Sequence, residues 1–314
     1  MLVRHCVCPA CHGELAWSSG KVGCAGCGAG YRVEDGIPNF TSFDEATSEA
    51  AVRYKLDQAE FFDAEGAEWE IERPHGAPGL YGWLMAEKFR RSIRGLEEVL
   101  AGATVLTVCG GSGMDAEFLA RSGATVIASD ISVGAAERAR ERGRRHGLRI
   151  AAIVADAERL PFADASVDVT YVHDGLHHLD DPVSGLAEMI RVAGRGVSVT
   201  EPVRATVTRL AVAVGLAQAV EEAGNRVERI DPDGIVEILR AEGFDSVGAE
   251  RYAMFYRHRP GPAMRVLSRR RLLPLTVAGF GLCNRVAGRF GNKGTIRAVA
   301  DPVSRRRRTP TAGS

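Results

Sequence analysis

Cys8-Pro9-Ala10-Cys11 and Cys24-Ala25-Gly26-Cys27 make two C-x2-C pairs with 12 residues between them. Four thiolates converge readily on one zinc ion in a tetrahedron, and a two-residue spacer lets both sulfurs of a turn reach the same ion. Gly13 and Gly28 follow the second and fourth sulfurs, where the chain must turn tightly. His5, Cys6 and His12 are competing ligands, but the two regular pairs already fill the shell. Two disulfides are the other structural option, which a reducing compartment disfavours. Cys109 and Cys283 read as small buried hydrophobes.

A second constellation starts at Cys109-Gly110-Gly111-Ser112-Gly113, which ends a β-branched run and precedes a helical stretch. Glycines there let the backbone approach a ligand closely, and the helix N-terminus presents N–H donors. The spacing also fits a dinucleotide-binding loop, and two later acids sharpen it. Asp130 ends the next β-branched run, where a carboxylate can accept both hydroxyls of a ribose. Asp156 with Ala157 follows the run after that, where an acid and a backbone group can bond an adenine edge. His173 ends a fourth run, and His177 and His178 follow it. A histidine titrates in the range a general base needs, with packing or capping as the plain alternative.

These residues need a scaffold that gathers loop ends. Residues 104–109, 125–129, 149–154, 167–173 and 196–200 read as strands, and 115–122, 133–146 and 183–193 as helices. The alternation predicts an α/β fold, a Rossmann-like, doubly wound, mostly parallel sheet with helices on both faces, whose ligands bind beyond the carboxyl ends of the strands. Ahead of it stands a small N-terminal zinc ribbon over 1–40, closed by a strand and turn at 31–40. A helical linker or lid spans 41–100, broken at 73–79 by proline and glycine. The main domain covers 101–304, with helical insertions near 203–222 and 257–290, and a basic, disordered tail covers 305–314. Within it, 231–242 reads as a helix capped by Asp231 with Pro232 at its first position, and 246–256 and 294–300 as strands.

VLTVCGGSG, VIASDIS and ADAERLPFADASVDVTYVHDGLHHLDDP resemble, in the family's order, the motifs of class I S-adenosylmethionine-dependent methyltransferases, over roughly residues 80–200. The resemblance implies S-adenosylmethionine as methyl donor. It places Gly111 and Gly113 under the methionine moiety, Asp130 on the ribose, and Asp156 with Ala157 at the adenine, with Gly110 and Ile131 as further cofactor-binding positions. His173 then contacts donor or acceptor. The chain departs from the family pattern at Thr107, where an acid is usual, and at Cys109, where the first glycine is usual. CPACHGEL, CAGCGAGY and EDGIPNF separately resemble a small zinc-ribbon family fused to, or partnered with, methyltransferases.

Methyl transfer from a sulfonium is an in-line displacement, so such an enzyme aligns a nucleophile and excludes water. His173, His177 and His178 are then the candidates for removing a proton from an acceptor oxygen or nitrogen. Arg73, His75, Tyr81 and Trp83 either fold over the acceptor or belong to the core, and Glu201-Pro202 either lines the pocket or makes a turn.

The 314 residues, 45% apolar and 25% charged, exclude a disordered chain and a disulfide-stapled mini-protein. The apolar stretch 272–283 is 12 residues long and interrupted by Pro274, too short to cross a bilayer. Residues 1–13 carry no apolar segment of signal-peptide type, so a cytoplasmic location is expected. Charge is unevenly spread. Residues 41–72 hold ten acids against Arg53 and Lys55, whereas 251–314 hold 14 arginines and Lys293 against Asp301 alone. Arginines beside the apolar stretch suit peripheral contact with an anionic membrane surface, and with it a small-molecule or lipid-like acceptor. An amphipathic helix packed on the sheet is the alternative. In the ribbon Arg4, Lys21 and Arg32 balance Glu14, Glu34 and Asp35, which disfavours nucleic acid as its partner. Two rival functions are a ribosomal RNA base methyltransferase and a non-catalytic binding partner of the same fold, the latter encouraged by Thr107 and Cys109.

Overall fold

The computed structural model describes residues 5–43, 47–205, 223–225 and 230–300. Four short strands come first: β1 (Leu15–Ser18), β2 (Lys21–Cys24), β3 (Gly30–Glu34) and β4 (Ile37–Asn39), each antiparallel to the next. Helices α1 (Glu49–Asp63), α2 (Ala67–Glu72), α3 (Gly79–Ser92) and α4 (Glu97–Leu100) follow, and the proline and glycine stretch separates α2 from α3 as its composition requires. Then come β5 (Thr104–Val108), α5 (Met114–Arg121), β6 (Thr125–Asp130), α6 (Val133–His146), β7 (Ile150–Val154), β8 (Val167–His173), α7 (Pro182–Val192) and β9 (Ala193–Pro202). The chain closes with α8 (Pro232–Ala241), β10 (Ser246–Tyr252), α9 (Pro262–Leu267), α10 (Leu273–Ala287) and β11 (Lys293–Val299). The apolar insertion expected near 203–222 lies outside the described residues after Ala205, as does the basic tail at 305–314.

All strands join one sheet in the order β1-β2-β3-β4-β7-β6-β5-β8-β9-β11-β10. From β4 to β9 the neighbours are parallel, and the chain order reverses around β5, the position at which such sheets open a crevice for a ligand. The expected mostly parallel, doubly wound α/β sheet is therefore present. One face is covered by Phe89, Leu96, Leu100, Ala116, Leu119 and Ala139, from α3 to α6. The other carries Leu186, Met189 and Ile190 of α7 with Ile235 and Leu239 of α8.

The local signals for helix ends hold. Ser132 caps α6 by accepting the Ala135 N–H, and Gly147 ends it at φ 63°. Asp181 and Asp231 cap α7 and α8, each with proline in the first turn. The strand expected over 246–256 stops at Tyr252, because two asparagines take the next backbone N–H groups. Asn284 Oδ1 accepts from Ala253 at 2.7 Å and Asn292 Oδ1 from Met254 at 2.9 Å, which turns the chain out of the sheet. The expected strand 196–200 is longer, because β8 and β11 pair along β9 from Ala193 to Pro202.

The N-terminal strands are not a detached unit. Asn39 pairs in parallel with Val154 of β7, the Phe40 N–H donates to Val154 O at 2.7 Å, and Cys6 bridges Phe162. Cys8, Leu15, Val22, Tyr31 and Phe40 share one apolar core with Leu160 and Phe162. No helix among the described residues is long and apolar enough to cross a membrane.

Candidate functional site

The glycine loop after β5 and the loops after β6, β7 and β8 all open on the carboxyl edge of the sheet, so the residues singled out in sequence meet at one place. Gly111 and Gly113 have φ of 52° and 77°, and a Cβ at Gly111 would touch nothing within 4 Å, which leaves that backbone facing open space. Gly113 has no such freedom, since a Cβ would stand 2.9 Å from Ala139 Cβ; it lets α5 and α6 close together. Cys109 sits at φ 49°, which explains why a glycine is the natural occupant there. Its side chain fills the space beside Gly175, whose own Cβ would lie 2.5 Å from Cys109 Cβ. Thr107, beneath Gly110, is buried, and its hydroxyl has no hydrogen-bond partner among the described residues.

Asp130 ties this loop to the next. Its carboxylate accepts the Gly111 N–H at 2.8 Å and the Ser132 N–H at 3.0 Å. Burial pushes its carboxyl above the ordinary value, and the backbone donors at Ser132 and Gly111 pull the other way. Ile131 lies between these two anchored positions. Asp156 lies after β7 but is already engaged: its carboxylate accepts from Lys55 at 2.6 Å and from the Glu158 N–H at 3.0 Å. Lys55 also reaches Glu158 at 2.7 Å. Burial works against its ammonium, yet the Asp156 and Glu158 carboxylates outweigh this and hold Lys55 above its usual value. Ala157 is buried beside them. A cleft of about 340 Å³ opens here, lined in part by Ser48, Lys55, Asp156, Glu158 and Ser184.

Helix α1, inside the 41–100 stretch read as a linker or lid, lies against this edge through contacts that residue types alone did not disclose. Asp63 accepts from Ser132 Oγ at 2.6 Å and from the Gly134 N–H at 2.8 Å. Tyr54 Oη donates to His178 O at 2.9 Å, and His178 Nδ1 lies 3.2 Å from Gln58 Oε1. Arg138 binds Ser112 Oγ and Phe62 O, joining the glycine loop to the end of α1. Of these only Lys55 had a signal in sequence, as one of two cations in a strongly acidic stretch. The four residues weighed as a cover lie elsewhere. Tyr81 is fully buried in an apolar cluster, Trp83 packs on Phe280, Arg73 pairs with Glu70, and His75 bonds Glu117.

The three histidines separate into different environments. His173 ends β8 with its side chain 1% exposed, and its Nδ1 lies 3.3 Å from Tyr171 Oη. Burial, helped by the Lys88 ammonium, holds its imidazole well below the usual range. Asp174 beside it pairs with Lys293 and accepts from Tyr256 at 3.3 Å. Burial opposes its charge, but the Lys293 ammonium holds its carboxyl far below the ordinary range. His177 is buried, and its Nδ1 donates to Glu201 Oε2 at 2.6 Å. The other Glu201 oxygen accepts the Gly175 and Leu176 N–H groups at 2.9 and 2.8 Å, which fixes the carboxylate. Glu201 thus orients His177, and it lies within β9 and not in a turn. His178 faces α1, as described.

The cysteine pairs also converge. Cys8 Sγ lies 3.7 Å from Cys27 Sγ and Cys11 Sγ 3.5 Å from Cys24 Sγ, and all four sulfurs fall within 4.8 Å of one another. Sulfurs at about 2.3 Å from a tetrahedral zinc are separated by about 3.8 Å, so the set fits that ion. The competing ligands His5, Cys6 and His12 are not part of that group. His5 Nδ1 donates to Ser166 O at 2.7 Å, and burial pushes the Cys6 thiol up to about 12, keeping it protonated.

The Methyltransferase domain family matches residues 106–199. A demethylmenaquinone methyltransferase of Clavibacter sepedonicus is 32% identical over 167 residues, which cover 47% of this chain and 68% of that protein. The corresponding protein of Beutenbergia cavernae is 37% identical over 95 residues, covering 30% and 38%. Across this and two further relatives the chain spans 38 to 44% of their length. In fold the chain is similar to magnesium protoporphyrin IX methyltransferase from Synechocystis with bound SAH. That likeness has a TM-score of 0.52 at 16% identity and covers 79% of this chain and 100% of the other.

Proposed function

Because this chain belongs to the class I S-adenosylmethionine-dependent methyltransferases, we propose that it transfers a methyl group from S-adenosylmethionine to an oxygen or nitrogen of a small, lipid-like acceptor. The observation that carries the donor site is the Asp130 carboxylate pinned between the Gly111 and Ser132 N–H groups at the carboxyl edge of the sheet. In this reading Gly110, Gly111 and Gly113 hold the methionine part, with the unpartnered Thr107 hydroxyl beneath them taking up a polar atom. Asp130 with Ile131 holds the ribose and Asp156 with Ala157 the adenine. When bound, the sulfonium supplies an electrophilic methyl group.

The chain's own part is alignment, exclusion of water and movement of one proton. α1 covers the crevice. Glu201 fixes His177 with its proton on Nδ1, so Nε2 is the basic nitrogen of that ring. His177 is therefore the preferred base, with His173 and His178 as positioning groups. Relatives named for demethylmenaquinone support a lipid-like acceptor. The basic region over 251–314 supports an anionic membrane surface as the place of encounter. In the four cysteines we infer Zn2+, holding the N-terminal strands against the sheet.

The test is methyl-labelled S-adenosylmethionine offered with lipid, metabolite and RNA extracts. Label is expected in the lipid phase, and His177→Ala is expected to lower the rate about a hundredfold while donor binding persists. Label in RNA would replace this reading by an RNA methyltransferase, and no label with no donor binding would leave a non-catalytic partner.

A further inference from the structure

Helix α10 is apolar on both sides. Leu273, Val277 and Phe280 pack into the cluster built on Tyr81, Met85 and Met254, and Asn284 anchors the same face by bonding Ala253 O and N–H. At 3.6 residues per turn, Leu275, Leu282 and Val286 fall on the opposite face. They are 70%, 60% and 71% exposed. Leu272 and Phe290 extend this outward surface at its two ends, and Val266 and Leu267 of α9 stand exposed beside it. An apolar stripe of this kind facing water calls for an occupant.

Charge identifies the occupant. No charged residue lies between Arg271 and Arg285, so the stripe is bracketed by exposed Arg269, Arg270 and Arg271 on one side and exposed Arg285 and Arg289 on the other. No acid occurs anywhere from Arg251 to Ala300. A second copy of the chain seated here would bring two arginine sets together with no carboxylate of the region to pair them. A partner that is apolar in its interior and anionic at its rim matches both features. A helix of 15 residues is about 22 Å long, less than the thickness of a hydrocarbon core, so it lies in the surface and does not cross.

We propose that α9 and α10 lie in the interfacial plane of an anionic bilayer, with Leu275, Leu282 and Val286 in the acyl boundary and the flanking arginines among the headgroups. The proposal deepens the membrane part of the proposed function and rests on that reading. The inner face of α10 belongs to the same apolar cluster as Met114, the residue next to Gly113. A docked chain thus joins its glycine loop to the lipid-facing helix through one apolar cluster, on the side where an apolar acceptor resides.

Flotation with vesicles of phosphatidylcholine, with and without phosphatidylglycerol, tests it on the full chain. Wild type is expected to float with the anionic vesicles. The double variant Leu282→Glu, Val286→Glu is expected to bind at least about tenfold more weakly, and Arg269→Gln, Arg270→Gln, Arg271→Gln a similar amount, its loss vanishing at high salt. All five positions are exposed, and an unchanged melting curve certifies the fold. Equal flotation of the variants overturns the proposal. So does a wild-type dimer that never floats and that the double variant converts to monomer, since the occupant is then a second copy. Methyl transfer to detergent-solubilised lipid, measured alongside, separates the two readings. Transfer without flotation removes the docking alone, and flotation without transfer removes the acceptor alone.

Discussion

Asp130→Ala is expected to weaken S-adenosylmethionine binding at least about a hundredfold in calorimetry, since two hydrogen bonds to a charged acceptor are worth about 3 kcal/mol or more together. The carboxylate pins the loops at Gly111 and Ser132, and on the proposed function it also accepts ribose hydroxyls. Asp130→Asn separates these two tasks, because an amide keeps one acceptor oxygen and the side-chain shape. It is expected to bind more weakly than wild type and more tightly than the alanine variant. Unchanged affinity in both would mean that no ribose rests on this carboxylate, and the donor assignment would fall with it.

If the four cysteines hold zinc as proposed, stripping it with a chelator is expected to release one equivalent and to destabilise the whole chain by several kcal/mol, on the order of 5, and Cys24→Ser is expected to destabilise it alike. Cys8 and Cys24 are buried, and the apolar residues around them are continuous with Leu160, Phe162 and the α7 side of the sheet. Losing the proposed clamp would therefore uncover Phe162 and the end of β7 as well as the small strands. Thermal melts with and without chelator, with metal content measured on the same sample, check this. Identical melts would show that packing alone holds these strands.

The scaffold was readable because it repeats local rules. The β-branched runs that became β5 to β8 are buried on both faces, and Ser132, Asp181 and Asp231 announce their helices within a turn. The cysteine spacing and the acid ending β6 are likewise short-range patterns. What stayed hidden depends on partners far along the chain. The Lys55 contact with Asp156 spans 101 residues and that of Tyr54 with His178 spans 124, and neither leaves a periodic trace. The fusion of β4 to β7 rests on one paired position, too little for a pattern. The downward pull on the His173 imidazole comes from its burial, which a list of residue types cannot supply.

One consequence follows from α1 fastening three loops at once, through Asp63 to the loop after β6, Lys55 to that after β7, and Tyr54 with Gln58 to that after β8. On the proposed function, spent cosubstrate cannot leave until those latches part together, so the pace of turnover is set by product release and not by the bond being made. A rate that falls as solvent viscosity rises is the signature of that regime, and a rate indifferent to viscosity would assign the delay to chemistry.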